Sequence, residues 1–356
     1  MDIYSFKALK GGIREYINIL ISLYTIYDNK DVLNTLNDLY NKLELVNDYD
    51  ELNNLKNDII DIQNNNIIDI NNKIINGYSK LDRDFNDREK GLIKRGYLKE
   101  DIIDVCGYSD DDFKKIADVI ISNISNECKK IDKPTCIFVG GQPGCGKSTI
   151  SIKMKDYFSE DGAVEIGIDN YRSYHPNYLK MEELIKKHWV NREQSENDSP
   201  GNDIADFTHK FAGDMTDYIV EHFINNTKDK YNLIIEWGMR TPEEPLHMMK
   251  KLKDIGYKVI VNFVVVDKES SFNACVLRAD AMDGEEHIVR RIPKEFHDMC
   301  VRTIPDSCDE IYDIGYNYNN FIDQFVLMSR EGNVLWDNTN NYKPGNLYKD
   351  YLDKKI

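Results

Sequence analysis

The chain has 356 residues, more than one domain normally holds, so two units are expected. Its 46 lysines and arginines against 62 aspartates and glutamates give a formal charge of −16, which excludes a nucleic-acid surface built on broad positive potential. No apolar run reaches transmembrane length, and Asp2, Lys7, Lys10, Arg14 and Glu15 interrupt the first stretch, so neither a membrane protein nor a secretory leader is expected and a cytoplasmic location is.

Residues 1–104 contain no proline and few glycines. Apolar side chains recur there at helical spacing: Leu36, Tyr40, Leu43 and Val46, then Leu52, Leu55, Ile59 and Ile62, then Ile67, Ile70, Ile74, Tyr78, Leu81 and Phe85. Breaks near residues 28–31 and 47–50 carry N-cap and turn residues. The pattern predicts an all-α bundle or hairpin over 1–104.

After Gly107 the texture changes. Apolar runs at 135–139, 163–168, 232–236 and 258–266, separated by helical or loop sequence, predict an α/β domain over 105–356 with a mostly parallel sheet flanked by helices. The polar segment 191–202 reads as a surface loop. Further strands are expected at 310–314, 324–328 and 334–336, and a short helix at 347–352. The seven cysteines (Cys106, Cys128, Cys136, Cys145, Cys275, Cys300 and Cys308) form no C-x-x-C pair and fit reduced thiols. The seven histidines show no metal-ligand spacing, and His297-Asp298 lacks an accompanying nucleophile motif.

The first apolar run feeds directly into Gly141-Gln142-Pro143-Gly144-Cys145-Gly146-Lys147-Ser148-Thr149, and a helical stretch follows at 150–158. This is G-x-x-x-x-G-K-S in the strand, loop and helix context that a phosphate-binding loop requires. The glycines let backbone N–H groups converge on an anion, Lys147 can reach the β- and γ-phosphates, and the Ser148 hydroxyl can ligate Mg²⁺. A nucleoside triphosphate is the expected ligand.

Beyond the loop, Asp169-Asn170-Tyr171-Arg172-Ser173-Tyr174-His175-Pro176 follows the second strand. A carboxylate at that edge suits an acceptor hydroxyl meeting a γ-phosphate, with a helix-cap role for Asp169 as the alternative. Glu236 ends the third apolar run, where a charge is costly without a ligand, Mg²⁺ or a basic partner; an ion pair with Arg240 that only orders the loop is the alternative. Arg278 and Arg290 flank an acidic segment containing Asp283-Gly284-Glu285-Glu286-His287, as arginines of a closing lid would, or as surface cations paired with the many acids.

In this order the strings resemble the zeta-toxin family, P-loop kinases of bacterial toxin–antitoxin systems. The strings carrying the likeness also include Tyr108-Ser109-Asp110-Asp111-Asp112-Phe113, Phe207-Thr208-His209-Lys210-Phe211-Ala212-Gly213-Asp214-Met215, Glu236-Trp237-Gly238-Met239-Arg240-Thr241 and Arg290-Arg291-Ile292-Pro293-Lys294-Glu295-Phe296-His297-Asp298. The resemblance implies transfer of the ATP γ-phosphate, with Mg²⁺, to the 3′-hydroxyl of UDP-N-acetylglucosamine; the alternatives are another nucleotide sugar or a dinucleotide as acceptor, or a non-catalytic nucleotide-binding module. It assigns the base to Asp169, substrate binding to Asp217, Glu236 and Arg240, and phosphate stabilisation to Lys147, Arg278 and Arg290. Four positions depart from the family pattern, one of them the bulky Trp237. Gly238 and Met248 stand where threonines are usual, and Asp217 replaces a longer glutamate. Family toxins are held by a small helical antitoxin, so residues 1–104 are read either as a fused inhibitor acting in cis or as an oligomerisation or partner-docking bundle.

Overall fold

A computed structural model describes residues 3–26, 28–65, 84–126, 128–195, 197–226, 228–282, 288, 290–338 and 343–354. The third helical run expected in the amino-terminal stretch falls largely on residues 66–83, outside the described residues. Fourteen helices appear among the described residues. Six precede the sheet: α1 (Ile3–Ile26), α2 (Lys30–Leu45), α3 (Tyr49–Asn65), α4 (Asp87–Lys94), α5 (Lys99–Cys106) and α6 (Asp110–Ser125). Asn29 caps α2, accepting from the Val32 N–H at 3.3 Å, and Asp48 does the same for α3 through Glu51 at 3.0 Å.

The strands are β1 (Thr135–Gly140), β2 (Val164–Gly167), β3 (Leu233–Glu236), β4 (Lys258–Val264), β5 (Gln324–Met328) and β6 (Val334–Asp337). They form one sheet in the order β2-β3-β1-β4-β5-β6, parallel except for β6. β1 has β3 on one side and β4 on the other, so the strand order reverses at β1 and its carboxyl end lies at a topological switch point. Near-continuous burial of β1 and β4 matches their apolar runs, as a sheet covered on both faces demands. The intervening helices are α7 (Lys147–Tyr157), α8 (Tyr178–Trp189), α9 (Pro200–Phe207), α10 (His209–Asn225), α11 (Glu243–Asp254), α12 (Lys268–Met282) and α13 (Lys294–Ile311), with α14 (Pro344–Leu352) last.

Two expectations need correction. The strand expected at 310–314 is instead the end of α13 running into a π-helical turn, Tyr312–Tyr318. Ile304, Cys308 and Ile311 are buried at helical spacing, and that longer period prevails over a five-residue apolar alternation. The loop read at 191–202 ends early, because Ser199 caps α9 by accepting from the Asn202 N–H and Pro200 occupies the first helical turn.

By internal contacts the chain forms two compact units. One comprises Met1–Asn123, Asp169–Met215 and Leu277–Arg291; the other comprises Ile124–Ile168, Thr216–Val276 and Ile292–Ile356. The second contains the sheet, whose core includes Ile137, Val139, Ile150, Ile234, Ile260, Val264 and Val326. The first is helical. Its core gathers Ile19 and Leu23 of α1 with Leu92, Tyr97 and Ile102 and with Tyr178, Met181, Ile185, Trp189, Ile204 and Phe207 of α8 and α9. A buried ionic network reinforces it. Asp203, fully enclosed on α9, accepts from Tyr97 Oη at 2.5 Å and Trp189 Nε1 at 2.7 Å and pairs with Arg95 at 2.6 Å. Arg95 also holds Asp206 at 2.7 Å. No helix of the described residues is long and apolar enough to cross a membrane.

Candidate active site

In the sheet unit, the loop between β1 and α7 is built on left-handed glycines. Gly141 has φ 138° and Gly144 has φ 73°. At Gly144 a Cβ would lie 1.9 Å from the Ser271 carbonyl oxygen, so only glycine allows this approach. Lys147 opens α7, and its Nζ donates to the carbonyls of Gly141 at 3.0 Å and Gln142 at 3.2 Å. Gln142 is buried; its Nε2 donates to Val266 O at 2.6 Å, and its Oε1 accepts from the Tyr348 hydroxyl. Cys145 is also buried, and burial pushes its thiol pKa up. Pro143 and Gly146 complete the loop, with Thr149 in the first turn of α7.

Arg330, in the turn between β5 and β6, was not singled out by motif. Its Nη2 donates to Gly144 O at 2.5 Å and its Nε to Cys145 O at 3.3 Å, while its stem would meet a Cβ at Gly146 at 2.8 Å. Holding a peptide carbonyl on one side turns the following N–H to the other, the arrangement an anion nest requires.

Ser148, exposed beside Lys147, donates its hydroxyl to Glu236 Oε2 at 3.2 Å. Glu236 stands at the end of β3, where Val139 of β1 is its register partner. Its other oxygen, Oε1, is buried with no hydrogen-bond partner among the described residues. Burial, and then the charge of Glu165, raise the Glu236 pKa above the usual carboxylate value, against the pull of Ser151, Lys147 and Ser148. A hydroxyl beside a carboxylate with an unpartnered oxygen fits a hard divalent cation such as Mg²⁺. The ion pair with Arg240, the alternative reading of Glu236, does not form among the described residues. Arg240 is exposed; its Nη1 donates to the Met299 sulfur at 3.2 Å, and its guanidinium lies 6.0 Å from the centroid of the Phe296 ring. A Cβ at Gly238 would meet nothing within 4 Å, so the missing threonine is not a consequence of crowding. Met248 is half-buried on α11, and Asp217 is exposed on α10.

In the helical unit, Asp169 lies in the 3₁₀ turn Ile168–Tyr174. Arg172 Nε donates to its Oδ1 at 2.9 Å, and Arg290 Nη1 pairs with its Oδ2. Burial pushes the Asp169 pKa up, but Arg290 and Arg172 outweigh it and hold the carboxyl well below the ordinary range. The motif expectation left Arg172 without a role, yet it ties the turn to α9 through the Ala205 carbonyl at 2.8 Å and Thr208 Oγ1 at 3.2 Å. Arg290 follows closely on Ile288, whose N–H donates to the buried Glu182 of α8 at 2.7 Å. Arg278 is exposed on α12. Residues 283–287 of the expected lid segment lie outside the described residues.

Other motif residues serve packing. His175 is buried edge-on against Phe211 and Tyr108, and burial depresses its pKa to about 3. Tyr108 Oη donates to Asp214 at 2.5 Å. In the sheet unit, His297 Nε2 lies 2.9 Å from Ser271 Oγ, and Asp298 lies 3.7 Å from His297 Nδ1. Ser271 and His297 are fully enclosed, so this serine–histidine–aspartate array meets no external substrate; it packs behind Gln142, 3.5 Å from Ser271 Oγ.

A phosphate-binding loop leaving the central strand of a mostly parallel, helix-flanked sheet defines a P-loop kinase-like α/β fold, here with additional amino-terminal helices. Residues 120–341 match the zeta toxin family model, and the chain belongs to that family. It is 26% identical over 245 residues to toxin PezT of Streptococcus pneumoniae serotype 4, covering 67% of this chain and 85% of that protein. Toxin zeta of Streptococcus pyogenes is 22% identical over 255 residues, covering 71% and 80%. Toxin zeta of Enterococcus hirae is 25% identical over 232 residues, covering 64% and 72%. A solved structure from the PezAT chromosomal toxin–antitoxin system of Streptococcus pneumoniae has a like fold, with a TM-score of 0.56 at 22% identity, covering 70% of this chain and 89% of that one.

Proposed function

We propose that this protein is a toxin kinase of a toxin–antitoxin system that transfers the γ-phosphoryl group of ATP to the 3′-hydroxyl of UDP-N-acetylglucosamine. The observation carrying this reading is Asp169, a carboxylate kept ionised by Arg172 and Arg290 and belonging to the same chain as an intact phosphate loop. Residues 105–356 are the kinase on this reading and residues 1–104 an added helical unit; a separate antitoxin is the partner, a reading supported by the similar fold from the PezAT toxin–antitoxin system.

In the proposed reaction the acceptor oxygen forms a bond to the γ-phosphorus as the bond to the β-phosphate bridging oxygen breaks, releasing ADP. Asp169 orients the acceptor hydroxyl and takes its proton late, as a carboxylate of depressed pKa does when bond making leads proton transfer. Lys147, Arg278 and Arg290 offset the charge of the transferring group. The backbone N–H groups of 141–149 bind the phosphates, and Asp217, Glu236 and Arg240 take the acceptor. Ser148, next to Glu236, would hold Mg²⁺, which supplies charge neutralisation on the phosphate oxygens.

A second acceptor within the same class is favoured by one set of positions. Open space at Gly238, Met248 in place of a hydroxyl side chain and the short Asp217 alter the acceptor side, which suits another nucleotide sugar or a dinucleotide. The test is incubation of the full chain with ATP, Mg²⁺ and a panel of nucleotide sugars, read by mass spectrometry. A phosphorylated UDP-N-acetylglucosamine is expected. Phosphorylation of a different sugar nucleotide alone would select the second reading, and ATP binding without transfer to any acceptor would leave a non-catalytic binding module.

A further inference from the structure

Helix α1 is buried all the way round over its later turns. From residue 17 to residue 24 no side chain is more than 8% exposed, a run of more than two full turns that includes the polar Asn18 and Ser22. One side packs along α2 and α3, while Ile19 and Leu23 enter the core formed by α8 and α9. A helix that is apolar on every face is an interior element rather than a covering one. The two polar residues each meet the segment that carries Asp169. Asn18 Nδ2 donates to Ser173 Oγ at 3.2 Å, and Ser22 Oγ donates to the Tyr174 carbonyl at 2.8 Å, both in buried surroundings. Ser173 and Tyr174 close the same 3₁₀ turn that Asp169 opens. The amino-terminal stretch grips this region a second time, since Arg95 and Tyr97 anchor Asp203 and Asp206 of α9, and α9 holds Arg172 through Ala205.

We propose that α1 is a built-in support for the Asp169 turn and that Asn18 and Ser22 are positioning residues for transfer. This rests on reading Asp169 as the acceptor-side base. A 3₁₀ turn has few hydrogen bonds of its own, so two donors at its far end set where its first carboxylate stands. Ser22 supplies the buried Tyr174 carbonyl with its partner, and without it the turn gains alternatives that satisfy that oxygen elsewhere. The amino-terminal helices act on this view as part of the catalytic half, and their contact promotes turnover.

The test uses the full chain with Ser22→Ala, Ser22→Thr, Asn18→Ala, Ser173→Ala and the Asn18→Ala/Ser173→Ala double variant. Ser22→Ala is expected to lower kcat about tenfold while the KM for ATP stays within about twofold, because the phosphate loop is untouched; Ser22→Thr, which keeps the hydroxyl, recovers most of the loss. The double variant should lose no more than the worse single one, as two ends of one bond require. Hydrogen exchange gives a readout independent of turnover: amides of 169–175 should exchange faster in Ser22→Ala while those of 141–148 do not change. Unchanged exchange at 169–175 overturns the proposal, and so does a rise in kcat, which would make the α1 contact inhibitory. If the wild-type chain transfers phosphate to nothing, the kinase reading fails while exchange still decides whether α1 positions the turn.

Discussion

Arg330 offers the sharpest test of how the phosphate loop is kept ready. Its guanidinium makes two charge-assisted hydrogen bonds, to Gly144 O at 2.5 Å and Cys145 O at 3.3 Å. Bonds of this kind contribute about 1.5–3 kcal/mol each when enclosed. Arg330 is half-exposed and the second bond is long, so the pair together contributes about 1–3 kcal/mol after screening. In Arg330→Ala the loop keeps its glycines but loses the clamp on its outer carbonyls, and ATP must then order the loop as it binds. That ordering reduces affinity about five- to 150-fold, at 1.4 kcal/mol per factor of ten. Titration calorimetry of the full chain with Mg²⁺–ATP reads it directly. Arg330→Lys keeps the charge but not the fork and should fall between the two. A Kd within twofold of wild type in Arg330→Ala, with the fold intact by circular dichroism, would refute the clamp.

Three further outcomes follow from other parts of the site. Gly144→Ala places a Cβ at φ 73° and 1.9 Å from the Ser271 carbonyl, so it should lower ATP affinity more than about tenfold and reduce Tm; calorimetry and thermal melts indistinguishable from wild type would contradict the close approach. Asp169→Asn should bind ATP as wild type does yet transfer no phosphate, with a matching loss of nucleotide affinity pointing to a structural aspartate instead. His175 has a folded-state pKa near 3 against about 6.5 unfolded, so below about pH 6.5 the unfolded chain takes up a proton that the folded chain refuses. Stability should therefore fall on acidification from that pH toward 3, by about 1.4 kcal/mol per pH unit from this residue, and His175→Gln should flatten the acid side of a denaturation series measured against pH.

The phosphate loop was legible in the sequence because its glycines and lysine must lie within one short loop to surround an anion, and the four parallel runs were legible because burial on both faces leaves few polar positions, Glu165 and Asn262 among them, to break them. Helix α1 was not. Its segment from 17 to 24 is enclosed on every side, so it lacks the one-sided apolar stripe that marks an amphipathic helix. Arg330 was equally hidden, because its partners are main-chain carbonyls 185 and 186 positions away and such contacts leave no local pattern. Asp169 stood out by its place after the second apolar run, but its two guanidinium partners became visible only in three dimensions. The strings that resemble the family also mix two kinds of residue. His175, Tyr108 and Phe211 pack against one another, while Lys147, Ser148 and Glu236 gather at the phosphate loop.

The threading of the helical unit has a consequence for biosynthesis. Its three segments end at Asn123, Met215 and Arg291, so the ribosome makes the first long before the last. At about 5–20 residues per second, roughly eight to thirty seconds separate the end of the buried run of α1 from the first α8 residues that pack with it. During that interval Ile19 and Leu23 have no α8 or α9 to bury them. Arg290 arrives later still, when about four fifths of the chain has been made. A nascent chain that stops before Arg290 thus has the phosphate loop and Asp169, but only one of the two guanidinium groups that pair with that carboxylate.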